Sequence, residues 1–264
     1  MKKYRVFSVF LLGVLLTSLL SLPAAAAGSG SAILDNMHVE AAAALLVDDD
    51  YGEILYEQNA HERRYPASIT KVMTALLTLE AVDRGELSLD QVVTVTEHLY
   101  QGIGSGGSTV DIKAGEQLTV LDLLYCVLLP SANEACNALA EAVSGSIDDF
   151  IVAMNVRADE LGMEDTHYTN THGYHDDNHY TTAWDIYLMC HEANQHETFR
   201  TITSSRSYEL PATNMHEART IYDTNALISS WQYGSSYLYE YATGIKTGST
   251  PEAGYCLASS ATKG

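Results

Sequence analysis

Ser68 and Lys71 stand three residues apart where an apolar, helically periodic segment begins, so one helical turn puts both side chains on one face. A serine hydroxyl becomes a useful nucleophile when a neighbouring base takes its proton. Lysine serves as that base when burial or nearby cations lower its pKa. The positive end of the helix adds partial charge beside the nucleophile. Further along, Ser131-Ala132-Asn133 follows Pro130 in a turn between two apolar segments, where a hydroxyl and an amide can both face a cleft. Ser131 can also cap the following helix, with Glu134 at its third position. Near the C-terminus, Lys246-Thr247-Gly248 offers a cation and a hydroxyl to a carboxylate. The glycine beside them lets a ligand backbone approach closely.

The elements that must position these groups follow from pattern. Ala41 to Val47 and Glu53 to Tyr56 flank an Asp/Gly turn and read as a hairpin. A helix spans about Ile69 to Val82, with Val72, Ala75, Leu76 and Leu79 burying one side and Gly85 ending it. Gln91 to Thr96 reads as a strand and Gly102 to Ser108 as a flexible loop. Leu118 to Leu129 is an apolar helix stopped by Pro130. Helices are expected over Glu134 to Val143, Ile147 to Leu161 and Thr182 to Ala193. Two strands flank the turn at Pro251 to Gly254. The fold class is therefore α+β: an antiparallel sheet in which N- and C-terminal strands are neighbours, covered by a helical middle. The last strand borders Gly264, so the sheet is expected to end in an open edge, its final strands missing.

The basic start Met1 to Arg5, the apolar run Val6 to Leu22 and Ala25-Ala26-Ala27 form the layout of a signal peptide over residues 1–27, cleaved near Ala27, with an uncleaved membrane anchor as the alternative because the run is only just short of a span. A short linker over 28–40 and a catalytic domain over 41–264 follow. The net charge is −20, and cleavage would remove Lys2, Lys3 and Arg5 but no acidic residue. Such a field repels phosphate backbones and excludes nucleic acid as a partner; an anionic substrate must be met by local cations. Cys126, Cys136, Cys190 and Cys256 allow three disulfide pairings, and small buried thiols are the favoured reading. His167, His172, His175 and His179, with Asp176 and Asp177, are dense enough to raise a zinc site. Their spacings are not those of a helical metal motif, so neither metal nor cofactor is expected.

Taken together, Ser-x-x-Lys, Ser-x-Asn and Lys-Thr-Gly in this order resemble the penicillin-binding proteins and class A β-lactamases. The stretches Pro66 to Ala75, Leu128 to Asn133, Gly244 to Thr250 and Ala253 to Cys256 are similar to the low-molecular-mass D-alanyl-D-alanine carboxypeptidases of peptidase family S11. So are Thr169 to Gly173 and His179 to Ala183, with Thr171 where proline is more usual. The resemblance implies a β-lactamase/DD-peptidase-like fold and a secreted, extracytoplasmic serine enzyme. It would remove the terminal D-alanine from peptidoglycan stem peptides ending in D-Ala-D-Ala and be inhibited by β-lactams. It makes Ser68 the acylated nucleophile, Lys71 its base and Ser131 a proton relay. Asn133 would hold the substrate amide, Lys246 supply charge and Thr247 meet the terminal carboxylate. Gly248 lines the same strand, and the N–H groups of Ser68 and Ser249 form the oxyanion hole. Family members continue with further strands, often a basic residue for the carboxylate, and a C-terminal domain whose tail associates with the membrane. The alternatives are a β-lactamase-like hydrolase, a catalytically silent penicillin-binding wall module, and a His-cluster metal protein. No glutamate motif of the class A deacylation type lies between Asn133 and Lys246.

Overall fold

Helix α1 (Lys71–Asp83) sits at the middle of the hydrophobic core, every residue from Lys71 to Leu79 being buried. The expectation was one buried side; burial nearly all round follows from its composition, since a helix apolar on every face is covered on every face. The structure, a computed structural model, describes residues 38–263. The expected signal peptide and most of the linker lie outside them. From Val39 onward the chain forms one unit.

Around α1 pack α2 (Val120–Leu128), α3 (Asn133–Ser144), α4 (Ile147–Glu160), α5 (Ala183–Ala193) and α6 (Glu197–Thr203). Three of these start where a side chain satisfies a free N–H. Thr119 and Asp122 form a reciprocal capping box, Ser146 accepts from Asp149 N, and Thr182 accepts from Asp185 N. Helix α3 starts differently. Its N-cap is Ala132 without a side-chain bond, and Gly145 ends it at φ +78°. Ser131 is thus not a cap, and Glu134 instead accepts from Thr109 Oγ1 at 2.7 Å and Val110 N at 2.8 Å.

The strands pair as four antiparallel hairpins: β1 (Ala44–Asp48) with β2 (Glu53–Gln58), β3 (Val92–Thr94) with β4 (Gln117–Thr119), β5 (Ser207–Leu210) with β6 (Arg219–Tyr222), and β7 (Ala242–Thr250) with β8 (Gly254–Ala261). The class is the expected α+β. Among the described residues, however, the N- and C-terminal hairpins share no ladder; both lean on α5 instead. Strand β8 pairs on one side only, with Tyr255 and Leu257 exposed along it. The β5–β6 hairpin and α6 were not anticipated. Tyr208 fastens β5 to α2 by stacking on Tyr125, with ring centroids 3.7 Å apart, and by donating to Asp122 Oδ1 at 2.8 Å. All four cysteines are free thiols. No helix among the described residues is long and apolar enough to cross a membrane.

Candidate active site

A 3-10 turn over Ala67–Thr70 runs directly into α1 and carries Ser68 at the junction. The turn begins with Ala67 at φ +47°, a left-handed conformation that costs an alanine energy and persists only where the surroundings impose it. Its surroundings are specific. Thr70 Oγ1 donates to the Ala67 carbonyl at 2.9 Å and lies 2.8 Å from His179 Nε2. His179 Nδ1 accepts from Thr169 N at 3.1 Å, so the ring proton is on Nε2 and points at Thr70. Gly173 closes the other side, where any Cβ would strike the Ala67 carbonyl.

Lys71 Nζ is wholly buried and has three partners: Ser68 Oγ at 2.9 Å, Asn133 Oδ1 at 2.6 Å and the His172 carbonyl at 2.6 Å. Burial lowers its pKa to about 8, against smaller opposing effects of Cys136 and Glu134. The amine is therefore partly neutral near physiological pH and able to accept a proton. Ser131 is held at φ +69° in the turn before α3, with its Oγ buried and unpartnered by any described residue. A left-handed serine with an unspent hydroxyl is a strained, poised group rather than a packing element.

Strand β7 supplies the opposite wall. Gly248 lies so close to the Ser68 turn that a Cβ there would sit 2.9 Å from Ser68 N and 3.1 Å from the Pro66 carbonyl. Lys246 is buried and donates to the Thr247 carbonyl at 3.1 Å. Its pKa is lowered chiefly by burial and next by the Lys71 charge, while Asp223 opposes the shift. Asp223 is itself buried, and that burial raises its carboxyl. Thr247 Oγ1 shares a hydrogen bond with Thr224 Oγ1 at 2.6 Å, and Ser249 is exposed.

The geometry thus joins Ser68, Lys71 and Asn133 directly, sets Gly248 against Ser68, and places Lys246 where it senses the Lys71 charge. Four residues escaped the sequence reading as site elements: Asp223, Thr224, Thr70 and the His172 carbonyl. Thr70 had a local signal in its place beside Ser68, and His172 in the Thr169 to Gly173 stretch; Asp223 and Thr224 had none. The His/Asp cluster divides among separate partners, His167 to the Asn178 carbonyl, His175 to Asp177 and His179 to Thr70. Among the described residues no three such side chains are arranged to hold a metal. Thr171, in the position where the resembled family more usually has proline, donates to Asn137 Oδ1 at 2.6 Å; Asn137 Nδ2 then donates to the Leu99 and Gln101 carbonyls, both at 3.0 Å. This chain of bonds fixes the start of the Gly/Ser loop. That loop borders an open pocket of about 330 Å³, lined also by Tyr100, Asp111 and Glu134.

Comparison with known proteins places this geometry in context. Residues 30–264 match the family described as peptidase S11, D-alanyl-D-alanine carboxypeptidase. The chain is 35% identical over 98% of its length to D-alanyl-D-alanine carboxypeptidase DacF of Bacillus subtilis (strain 168), and spans 63% of that protein. Its structure is similar to a single-residue mutant of the Streptomyces K15 DD-transpeptidase, with a TM-score of 0.77, 31% identity, and 86% of this chain and 88% of that one covered. It is likewise similar to penicillin-binding protein D2 from Listeria monocytogenes in its ampicillin-bound form, with a TM-score of 0.72, 30% identity and 87% of each chain covered.

Proposed function

The chain belongs to the S11 family of D-alanyl-D-alanine carboxypeptidases, and from that premise we propose that it removes the terminal D-alanine of peptidoglycan stem peptides through an acyl-enzyme on Ser68. The observation that carries the reading is the buried Lys71 amine, 2.9 Å from Ser68 Oγ and with its pKa lowered to about 8. Neutral Lys71 takes the hydroxyl proton as Ser68 Oγ attacks the carbonyl carbon of the penultimate D-alanine. The C–N bond then breaks. The departing D-alanine nitrogen receives a proton, with the Ser131 hydroxyl as relay, and the ester on Ser68 is later cleaved by water.

Developing charge on the carbonyl oxygen is met by the main-chain N–H groups of Ser68 and Ser249, at typically about 3 kcal/mol per donor. Asn133 offers its amide to the substrate backbone, while Lys246 and Thr247 receive the terminal carboxylate along β7. A β-lactam enters the same path, but its leaving nitrogen stays tethered to the acyl group and the ester persists. The enzyme works outside the cytoplasm, as residues 1–27 imply.

Intact mass spectrometry after treatment with penicillin tests the nucleophile: one adduct is expected in the parent protein and none in Ser68→Ala. Release of D-alanine from a peptide ending in D-Ala-D-Ala tests the reaction. An adduct that persists in Ser68→Ala overturns the assignment. Acylation by penicillin without any release of D-alanine would instead identify a silent penicillin-binding module.

A further inference from the structure

The segment from Asn225 to Tyr241 connects the Asp223–Thr224 turn to β7 and contains a single charged residue, Glu240. It is built of Tyr, Trp, Leu, Ser, Gln and Gly, yet it is not loosely held. Ser229 N donates to the Asn225 carbonyl at 2.8 Å, Gly234 N to the Ser230 carbonyl at 2.9 Å and Tyr239 N to the Leu227 carbonyl at 3.1 Å. Asn225 Nδ2 ties its base to the Gly244 carbonyl at 3.1 Å. On this frame Trp231, Tyr233, Tyr237 and Tyr239 are all exposed, Trp231 at 59% and Tyr237 at 61%. Trp231 stacks on Tyr222 of β6, with planes 2° apart and centroids separated by 5.6 Å, while Tyr233 and Tyr237 meet edge to face at 6.2 Å. Water-exposed aromatic surface of this extent on an ordered segment marks a binding face.

Its chemistry selects the partner. Anionic lipid or nucleic acid requires cations, and residues 225–241 have none in a protein of net charge −20. Flat rings with hydroxyl tips, set among serines, suit instead an uncharged ligand with apolar faces and a hydroxylated rim, which describes a pyranose ring. The position selects further. Thr224, at the segment's start, bonds to Thr247, and its far end runs straight into β7. A molecule seated on the aromatic face and a peptide lying along β7 are thus held by adjoining stretches of one chain. We propose that this face binds the amino-sugar chain from which the stem peptide hangs, so that one polymer engages both. The proposal rests on the substrate reading above.

The test uses the whole protein and a Trp231→Ala/Tyr237→Ala variant, whose changes lie on the surface. Co-sedimentation with wall glycan stripped of its peptides reads sugar binding without any catalysis. The parent protein should sediment and the variant should bind at least about tenfold more weakly, equivalent to about 1.4 kcal/mol. D-alanine release should be unchanged for a sugar-free peptide and fall by a similar factor for the glycan-linked one. Equal binding of stripped glycan by both proteins, or equal losses on both substrates, overturns the proposal. So does self-association or binding to neutral vesicles that the variant abolishes while glycan binding persists. Glycan binding by a parent protein that releases no D-alanine would overturn the catalytic reading and support this one.

Discussion

Asn133 Oδ1 lies 2.6 Å from Lys71 Nζ, closer than the 2.9 Å between that amine and Ser68 Oγ. A carbonyl oxygen only accepts, and so does the His172 carbonyl on the same amine. A neutral amine has two N–H donors and one lone pair. With both donors taken, the lone pair is left for Ser68, whose hydroxyl must then be the donor. Asn133 therefore orients the Lys71 amine toward Ser68.

This orientation makes a prediction about pH. Acylation by penicillin should fall as pH drops through about 8, because Lys71 gains its proton there and loses the lone pair. Asn133→Asp places a negative charge against the amine and should move that fall upward by at least about one pH unit. Asn133→Ala should slow acylation without moving the fall. Stopped-flow acylation rates from pH 6 to 10 check both, and an unmoved profile in Asn133→Asp would count against Lys71 as the titrating base.

Gly248→Ala should disable the site while leaving the fold. The added Cβ meets Ser68 N at 2.9 Å and the Pro66 carbonyl at 3.1 Å, and backbone atoms cannot swing aside as a side-chain end would. Overpacking of this kind costs about 1–3 kcal/mol. We expect a melting temperature several degrees lower, at about 2–4 °C per kcal/mol for a domain this size. The acylation rate should drop at least about tenfold, as β7 shifts from the nucleophile by even a fraction of an ångström. A variant acylating at the parent rate would show that the contact does not set the site.

Lys246→Ala should impair acylation by peptide and penicillin alike, since both carry a carboxylate that the protein's acidic field repels. Thr247→Val should be milder: it removes one hydrogen bond, worth about 1.5–3 kcal/mol to a charged group, and no charge. Asp223→Asn should behave as a partial Lys246 loss, because the Asp223 carboxylate opposes the burial that lowers the Lys246 pKa. Second-order acylation rates of the three variants at low and moderate salt rank them. Parent-like rates in Lys246→Ala would remove it from carboxylate binding.

Acid should destabilise the fold through two histidines. Burial lowers both His172 and His179 from 6.5 to about 3. Above pH 6.5 they are neutral in both folded and unfolded chains, and the native state incurs no penalty. As pH falls from 6.5 toward 3 the unfolded chain takes up protons that the folded one refuses, so stability is lost. The loss approaches about 1.4 kcal/mol per pH unit for each histidine. Urea midpoints between pH 7 and 4 measure it, and His179→Gln should flatten the dependence. Because His179 holds Thr70 and through it the Ala67 carbonyl, the same variant should also slow acylation. A steep acid dependence retained in His179→Gln and in His172→Gln would contradict this account.

Patterns that live within a few residues were legible in the chain itself. The Pro130 stop, the Asp/Gly hairpin turn and the Ser68–Lys71 spacing are all short-range, because a tight turn and one helical turn span three or four residues. Where the local signal was weak or shared, the reading went astray. Helix α6 is seven residues long with no side-chain cap at His196, and β5 and β6 are four residues each on either side of a long loop. Ser131 carried two local readings, cap and reactive hydroxyl, and its backbone at φ +69° together with the Ala132 N-cap removed the first. Tertiary structure alone decided what surrounds the reactive groups. Lys71 is made a weak base by burial among α1, α3 and the His172 loop, and no stretch of chain that short can desolvate an amine. Asp223, Thr224 and His179 reach the site from distant positions, since a charge or hydroxyl contributes by distance in space and not by spacing in sequence.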